Sequence, residues 1–294
     1  MSPVPVPNPA LRGAPSMSWW RNPTALLFSG AVLLGAFTVA GYLVGVVPAW
    51  VAVALDALVI YLGFTVLHES THRVAHRATG VNSAMGWIAG LPLMATYPMF
   101  RTVHIQHHSH TNDAAVDPDF AAGAGPFWVR PAMLLSPLWE YRAKWYGRRW
   151  FKNRRQLFAQ LALDLGVLAG LVVAAVTGHL GPVVVLWLLP YVLASMVLVY
   201  FFDYVPHRPY DQQGRFFDTA SHPGRVANVL LLGQNYHAIH HAWNTVPWWR
   251  YQQVFADTRG DLETMGAWRA AGLPGSPRPP SADRGDRDTG DLLD

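Results

Sequence analysis

The sequence predicts an all-α integral membrane protein: four spanning helices in two hairpins, with a cytoplasmic helical cap. Three observations lead there. The 294 residues are 51% hydrophobic and only 14% charged, against about 25% charged in an average soluble protein. The apolar residues fall in four long, nearly uncharged blocks, each with the roughly 20 residues needed to cross a hydrocarbon core of ~30 Å. All 22 Lys and Arg lie outside those blocks and outside the two short turns that join them in pairs.

Residues 1–22 are proline-rich without a continuous apolar run. They read as a flexible tail ending in an interfacial anchor at Trp19, Trp20 and Arg21. No basic segment leads into a short apolar core, so no cleavable signal peptide is expected. The membrane domain, 23–260, begins with the block Thr24–Val47, which Pro48 breaks. Ala49–Leu67 is the second span and runs into His68. Leu157–Thr177 is the third. After the turn Gly178–Pro182, Val183–Phe202 is the fourth and runs into Asp203 and His207. The positive-inside rule then places both termini and the long middle segment in the cytoplasm. Val81–Tyr97 is apolar but interrupted by Gly86, Gly90 and Pro92, and is expected to lie at the interface without crossing. Asp56 and Asp164, inside spans, read first as neutral, hydrogen-bonded structural acids, with a place near substrate or in a polar seam between helices as the alternative. Residues 139–155 interleave aromatic and basic side chains. Beside a span this suits contact with anionic membrane lipids, or steering of an acidic protein partner, and not nucleic acid. Trp243, Trp248, Trp249 and Tyr251 read as a second aromatic group at the same level. Residues 275–294, rich in Pro, Gly, Asp and Arg, are expected to be a disordered tail.

Eleven of the 13 histidines lie in or near three clusters or at one further position. The first cluster is His68-Glu-Ser-Thr-His72, with His76 beyond it. The second is His104-Ile-Gln-His107-His108, followed by His110, and the third is His237-Ala-Ile-His240-His241. His207 is the single further candidate. Helical residues three and four apart share a face, so each cluster can aim two or three imidazoles at one point. Imidazole is a ligand for iron, copper, nickel and zinc. Eight or nine ligands exceed what one such ion takes, roughly four to six, and suit two adjacent ions. Scattered surface or core histidines are the bland alternative, and the repeated His-x-x-His-His string argues against it. The absence of cysteine excludes thiolate zinc sites and iron–sulfur clusters. Asp113, Asp117 and Asp119 follow the second cluster and suit two roles equally: bonding the distal nitrogens of ligand histidines, or turn chemistry. Glu69 has the same two readings. His76 and His110 read as residues behind the ligands or on a helix surface. His222-Pro-Gly-Arg reads as a turn.

Many neutral ligands with few carboxylates, facing a reducing cytoplasm, suit a redox metal pair able to activate oxygen, and an apolar shell would exclude water from it. A substrate reaching such a site from the bilayer should be lipid-like. The three histidine boxes resemble those of the membrane fatty acid desaturase and hydroxylase superfamily over residues 50–255. The strings at 68–77, 104–113, 202–209 and 233–241 are most similar to bacterial carotenoid ring hydroxylases of the desaturase-related type. That resemblance implies a pair of non-haem irons, dioxygen as co-substrate, electrons from ferredoxin or a similar donor, and the eight box histidines as ligands. It adds His207 as a ninth ligand. It also suggests a role behind the metal for Asp203, where some relatives carry Asn, and for Asn235 in the last string. The leading expectation is therefore a carotenoid ring hydroxylase, with an acyl-lipid desaturase as alternative. A membrane zinc hydrolase, with Glu69 as its base, and a metal-binding or transport protein are the readings from other classes.

Overall fold

The computed structural model describes residues 6–126 and 128–274. The expected C-terminal tail 275–294 and the first five residues of the expected N-terminal tail lie outside them. The described residues form helices and turns, with no strand. Four helices are long and apolar enough to cross a membrane, and all four extend beyond or shift from the apolar blocks read in the sequence. The chain divides into two compact units: Pro15–Thr102 with Arg142–Val197, and Met1–Ala14 with Val103–Tyr141 and Leu198–Asp294.

In the first unit, α1 (Pro23–Leu43) starts where Asn22 accepts hydrogen bonds from the backbone of Thr24 and Ala25 at 3.0 and 3.3 Å. Proline at the first helical position has no orphan N–H to satisfy. Asn22 also donates its side-chain amide to the Ala75 carbonyl at 2.8 Å, so one residue caps the helix and ties it to a loop. The helix α2 (Ala49–Thr71) continues four residues past its apolar block. His68 is thus on the helix and His72 closes it. Arg73 then takes a left-handed backbone, φ +58°, so His76 does not continue the His68–His72 face. Its Nδ1 instead accepts from the Ala78 N–H, and its ring meets Trp19.

The apolar stretch after the first cluster forms α3 (Thr79–Gly90), of 12 residues. At ~1.5 Å per residue it reaches about 18 Å, too short to cross. Asn82 and Tyr97 both donate to the Ser70 carbonyl at 2.8 Å, satisfying a last-turn acceptor that α2 itself cannot. Next comes α4 (Tyr97–His110), which carries the second cluster. Of the aromatic–basic segment, α5 (Pro137–Gly147) buries Trp145 completely, so that side chain is core and not interfacial.

The third candidate span is α6 (Arg154–Val176). Its Asp164 is an ionic partner, contrary to the neutral acid expected. It accepts from Arg142 at 2.9 and 3.1 Å, Tyr146 at 2.6 Å and Gln160 at 3.0 Å. Asp56 is buried on α2, and its Oδ2 has no hydrogen-bond partner among the described residues.

The fourth candidate span, α7 (Leu180–His207), contains two π-helical turns, Val184–Leu188 and Val199–Tyr204. The second precedes Pro206, whose missing N–H breaks the regular ladder. One inserted residue rotates everything after it, including His207, around the axis.

In the second unit, α8 (His237–Ala242) and α9 (Tyr251–Thr264) pack Ile239, Trp243, Tyr251, Val254 and Leu262 into one core. Trp243 and Tyr251, read from sequence as interfacial, belong to it. Leu11 enters the same core. Thr245 accepts from the Gly13 N–H at 2.6 Å, and Arg250 donates to the Ala10 carbonyl at 2.7 Å. This part of the expected flexible tail is docked.

Candidate metal centre

Seven of the nine candidate ligands lie in the second unit, and all are buried. His104, His107 and His108 come from α4, His207 from the end of α7, and His237, His240 and His241 from α8. The short helix α8 exists because Gly233 takes φ +78° and lets the chain turn beneath Trp248. The three-and-four spacing then sets all three of its imidazoles on one side.

One ring nitrogen from each of His107, His207, His237 and His241 lies within 4.8 Å of the others, and His108, His240 and His241 form a second such group. Nε2 of His241 is 3.1 Å from Nε2 of His237 and 3.3 Å from Nε2 of His107. Nε2 of His104 and His108 are 3.0 Å apart. In the first unit, His68 and His72 form a buried pair with ring centroids 5.2 Å apart, and Glu69 Oε1 is 3.7 Å from His68 Nδ1.

The far side of each ring decides what those Nε2 atoms are. Asp117 accepts from His107 Nδ1 at 2.8 Å, with Asp119 3.3 Å away. Gln234 Oε1 is 3.2 Å from His237 Nδ1, and the Tyr251 hydroxyl is 3.0 Å from His240 Nδ1. Thr111 Oγ1 is 3.5 Å from His241 Nδ1, with Asp218 at 3.9 Å. Thr111 already donates to the His107 carbonyl at 2.8 Å, so it accepts from His241. A ring whose Nδ1 donates presents a bare lone pair at Nε2. The Nε2 lone pairs of His237 and His241, facing each other at 3.1 Å, repel, and a cation between them removes the repulsion, while a proton held by His107 is given up to an entering cation. With metal–nitrogen bonds of roughly 2.0–2.1 Å, adjacent ligand atoms stand about 3 Å apart. His207 adds a second sign. It is fully buried, and neither ring nitrogen meets a partner in hydrogen-bonding geometry among the described residues. The donor set fits a histidine-bound transition metal.

The field in the cluster is graded. Burial would lower the His107 pKa, but Asp117 and Asp119 override it and push it up to about 10. His241 is held well below its usual value by burial and by the imidazoles of His108, His237, His207 and His107. One end of the group therefore favours positive charge while the other keeps a neutral lone pair.

Asp117 is fixed from three directions. It accepts from the backbone of Asn112 at 2.8 Å and of Asp119 at 2.9 Å, besides His107. Asn112, at φ +63°, donates its amide to the carbonyls of Gln212 and Asp218 at 2.7 and 2.8 Å. It thereby joins the loop behind His107 to the loop behind His241. The Asp203 backbone carbonyl accepts from the Tyr210 hydroxyl at 3.1 Å, tying the end of α7 to the loop that follows it. The remaining expected supports bond to backbone groups, Asp113 in the turn role that was one of its two readings. Asp113 accepts from the N–H groups of Ala115 and Val116 as a turn residue. His110 Nδ1 bonds the Gln106 carbonyl, and Asn235 donates to the His222 carbonyl. Asn112, Thr111, Asp218, Gln234 and Tyr251 were not found from the sequence. Thr111 and Asn112 lie three and four residues beyond His108, and Gln234 lies three residues before His237.

A family model described as fatty acid desaturase matches residues 43–271. A dihydrorhizobitoxine desaturase of Bradyrhizobium elkanii is 24% identical over 90% of this chain and 76% of its own. A beta-carotene ketolase of a Paracoccus species is 29% identical over 74% of this chain and 91% of its own. An sn-1 oleoyl-lipid 12-desaturase of a Picosynechococcus species is 25% identical over 86% and 81%.

Proposed function

The chain belongs to the fatty acid desaturase family, and from that premise we propose that it is a membrane oxidoreductase using two non-haem irons and dioxygen to hydroxylate a carotenoid ring carbon. The observation that carries the metal assignment is the set of buried Nε2 atoms facing one another at 3.0–3.3 Å. The proposed ligands are His68, His72, His104, His107, His108, His207, His237, His240 and His241. The carotenoid assignment is supported by the resemblance of the boxes and by the relatives named beta-carotene ketolase.

When bound, iron supplies the redox chemistry that lets dioxygen attack an unactivated C–H bond. The net reaction converts R–H, O2, two electrons and two protons into R–OH and water. The electrons come from a ferredoxin-like donor, and the substrate enters from the bilayer. The chain's own contribution is positional. Asp117, Gln234, Tyr251 and Thr111 fix the tautomers, so that each Nε2 stays a ligand atom. Burial of all seven histidines of the second unit excludes water. A second hydroxylation at the same ring carbon would give a geminal diol, which loses water to leave a ketone, so hydroxylase and ketolase outcomes differ by one repeated step. Desaturation is the second reading, favoured by the two desaturases among the relatives. It differs only in where the substrate sits relative to the metal.

The test is expression in bacteria that accumulate β-carotene, with pigment and fatty-acid analysis beside a His107→Ala control. Hydroxy- or keto-carotenoid formed only by the intact protein supports the proposal. New unsaturated acyl chains with unchanged pigment favour the desaturase. Product formed without oxygen would sink both and favour a hydrolase.

A further inference from the structure

The second unit contains a cavity of about 540 Å³ whose wall includes Tyr200, Tyr204, Arg208, Ser221, His222 and Arg269, and none of the clustered histidines. Its wall carries two arginines, and three donors in or beside it lack a hydrogen bond. Arg130 donates to the Tyr204 hydroxyl at 2.6 Å, and the guanidiniums of Arg130 and Arg208 lie 5.3 and 5.6 Å from the Tyr204 ring centroid. Arg269 donates Nη2 to the carbonyls of Pro206 and Arg208. Its Nη1, the Nε of Arg130 and the Oγ of Ser221 are buried without a hydrogen-bond partner among the described residues, and Ser221 is 3% exposed. Asp211 and Asp218 are the acids that act on Arg269, yet none of these arginines forms an ion pair among the described residues. The Arg269 Nη1, the Arg130 Nε and the Ser221 Oγ are thus donors whose burial no hydrogen bond offsets, and Arg208, Arg269 and Ser221 line the cavity together.

The position of the cavity selects the anion. The helix α7 has 28 residues, or about 42 Å at ~1.5 Å per residue, where roughly 20 suffice to cross. Counted from Leu180, the hydrocarbon core ends near Tyr200, at the depth where tyrosines sit beside lipid headgroups. Tyr200 and Phe201 are 40% and 38% exposed and offer an apolar approach to the mouth. We propose that this cavity binds a phosphate diester anion, the headgroup of an anionic phospholipid, with Arg208, Arg269 and Ser221 as donors.

The probe is phosphatidylglycerol. Full-length protein is reconstituted in phosphatidylcholine nanodiscs with graded phosphatidylglycerol, and the lipid retained after transfer to mild detergent is counted by native mass spectrometry. Preferential retention of phosphatidylglycerol, reduced about tenfold in Arg208→Gln and in Arg269→Gln, is expected for loss of one charge-assisted contact. Arg269 also ties two carbonyls, so Arg269→Gln carries a folding risk. Arg208 is exposed and Ser221 Oγ is unbonded, so Arg208→Gln and Ser221→Ala keep the test sharp. Equal retention by wild type and Arg208→Gln overturns the proposal. Displacement of the lipid by millimolar inorganic phosphate overturns the lipid source and leaves a soluble phosphate site. Retention that appears only after deletion of 275–294 assigns the cavity to that aspartate-bearing segment, and likewise overturns the proposal.

Discussion

Replacing Asp117 with Asn separates the charge behind His107 from its shape. Asp117 Oδ1 accepts from His107 Nδ1 and the Asp119 N–H, and Oδ2 accepts from the Asn112 N–H. An asparagine has one acceptor end and one donor end. Turning its oxygen toward His107 keeps that bond but sets the amide NH2 against the Asn112 N–H. A hydrogen bond to a charged group contributes ~1.5–3 kcal/mol and a neutral one ~0.5–1.5 kcal/mol, so the His107 contact weakens by about 1–1.5 kcal/mol. The unmet N–H of Asn112 costs a further ~1–3 kcal/mol, which falls on the fold and not on the metal. The first loss equals roughly tenfold in affinity, at the lower edge of the ~10–100-fold typical for partners of ligand histidines. Anaerobic ferrous iron titration with elemental analysis reads the first part, and thermal unfolding of metal-free protein reads the second. A folded Asp117→Asn protein with unchanged iron affinity would refute the reasoning that this carboxylate acts through His107.

His207→Leu removes an imidazole whose nitrogens meet no hydrogen-bond partner among the described residues. Metal-free protein should keep its melting temperature or gain slightly, while bound iron drops; a drop in metal-free stability with full iron content would mark His207 as structural. Because Asp117 and Asp119 raise the His107 pKa to about 10, an entering ion displaces a proton below that pH. Cobalt affinity should therefore rise about tenfold per unit between about pH 7 and 9, and a flat profile would contradict this. Asp164→Asn breaks a partly exposed ion pair with Arg142. It should cost about 1–3 kcal/mol, less than a fully buried pair, read as a lower melting temperature with metal content unchanged. Gly233→Ala combines a left-handed φ of +78° with a Cβ only 2.5 Å from the Trp248 carbonyl. Strain of ~1–3 kcal/mol plus the clash should lower folded yield and iron together, and normal yield would show that the turn relaxes.

Much of the fold and of the ligand set was legible because both obey short-range rules. Apolar runs of bilayer length gave four candidate spans. The spacing of His237, His240 and His241 needed only one turn of helix to become a shared face. The sequence reading stayed open, or for Asp164 missed, where a local pattern met a tertiary decision. His76 follows His72 at helical spacing, but α2 ends at Thr71. Asp113 and Asp117 are both acids beside the second box, yet only Asp117 reaches a ring nitrogen, because the chain turns back over Asn112. Asp164 was read as neutral because its cation, Arg142, lies 22 residues away.

The same contrast explains why ligands are easier to read than the residues that tune them. A ligand histidine must come from a helix face, so its neighbours in sequence announce it. The group on the distal nitrogen need only reach one atom, and any acceptor on any nearby segment serves. Here the distal nitrogens meet an aspartate ten residues away, a glutamine three away and a tyrosine eleven away. These partners share no residue type and no spacing, and their common feature is the oxygen placed at Nδ1. Tyr251 shows the consequence. By composition it belongs with Trp248 and Trp249 as an interfacial aromatic, while its hydroxyl lies 3.0 Å from His240 Nδ1 inside the core. Tyr251→Phe keeps the ring packing and removes only that oxygen. A change in iron affinity without a change in fold would therefore assign this tyrosine to the metal centre.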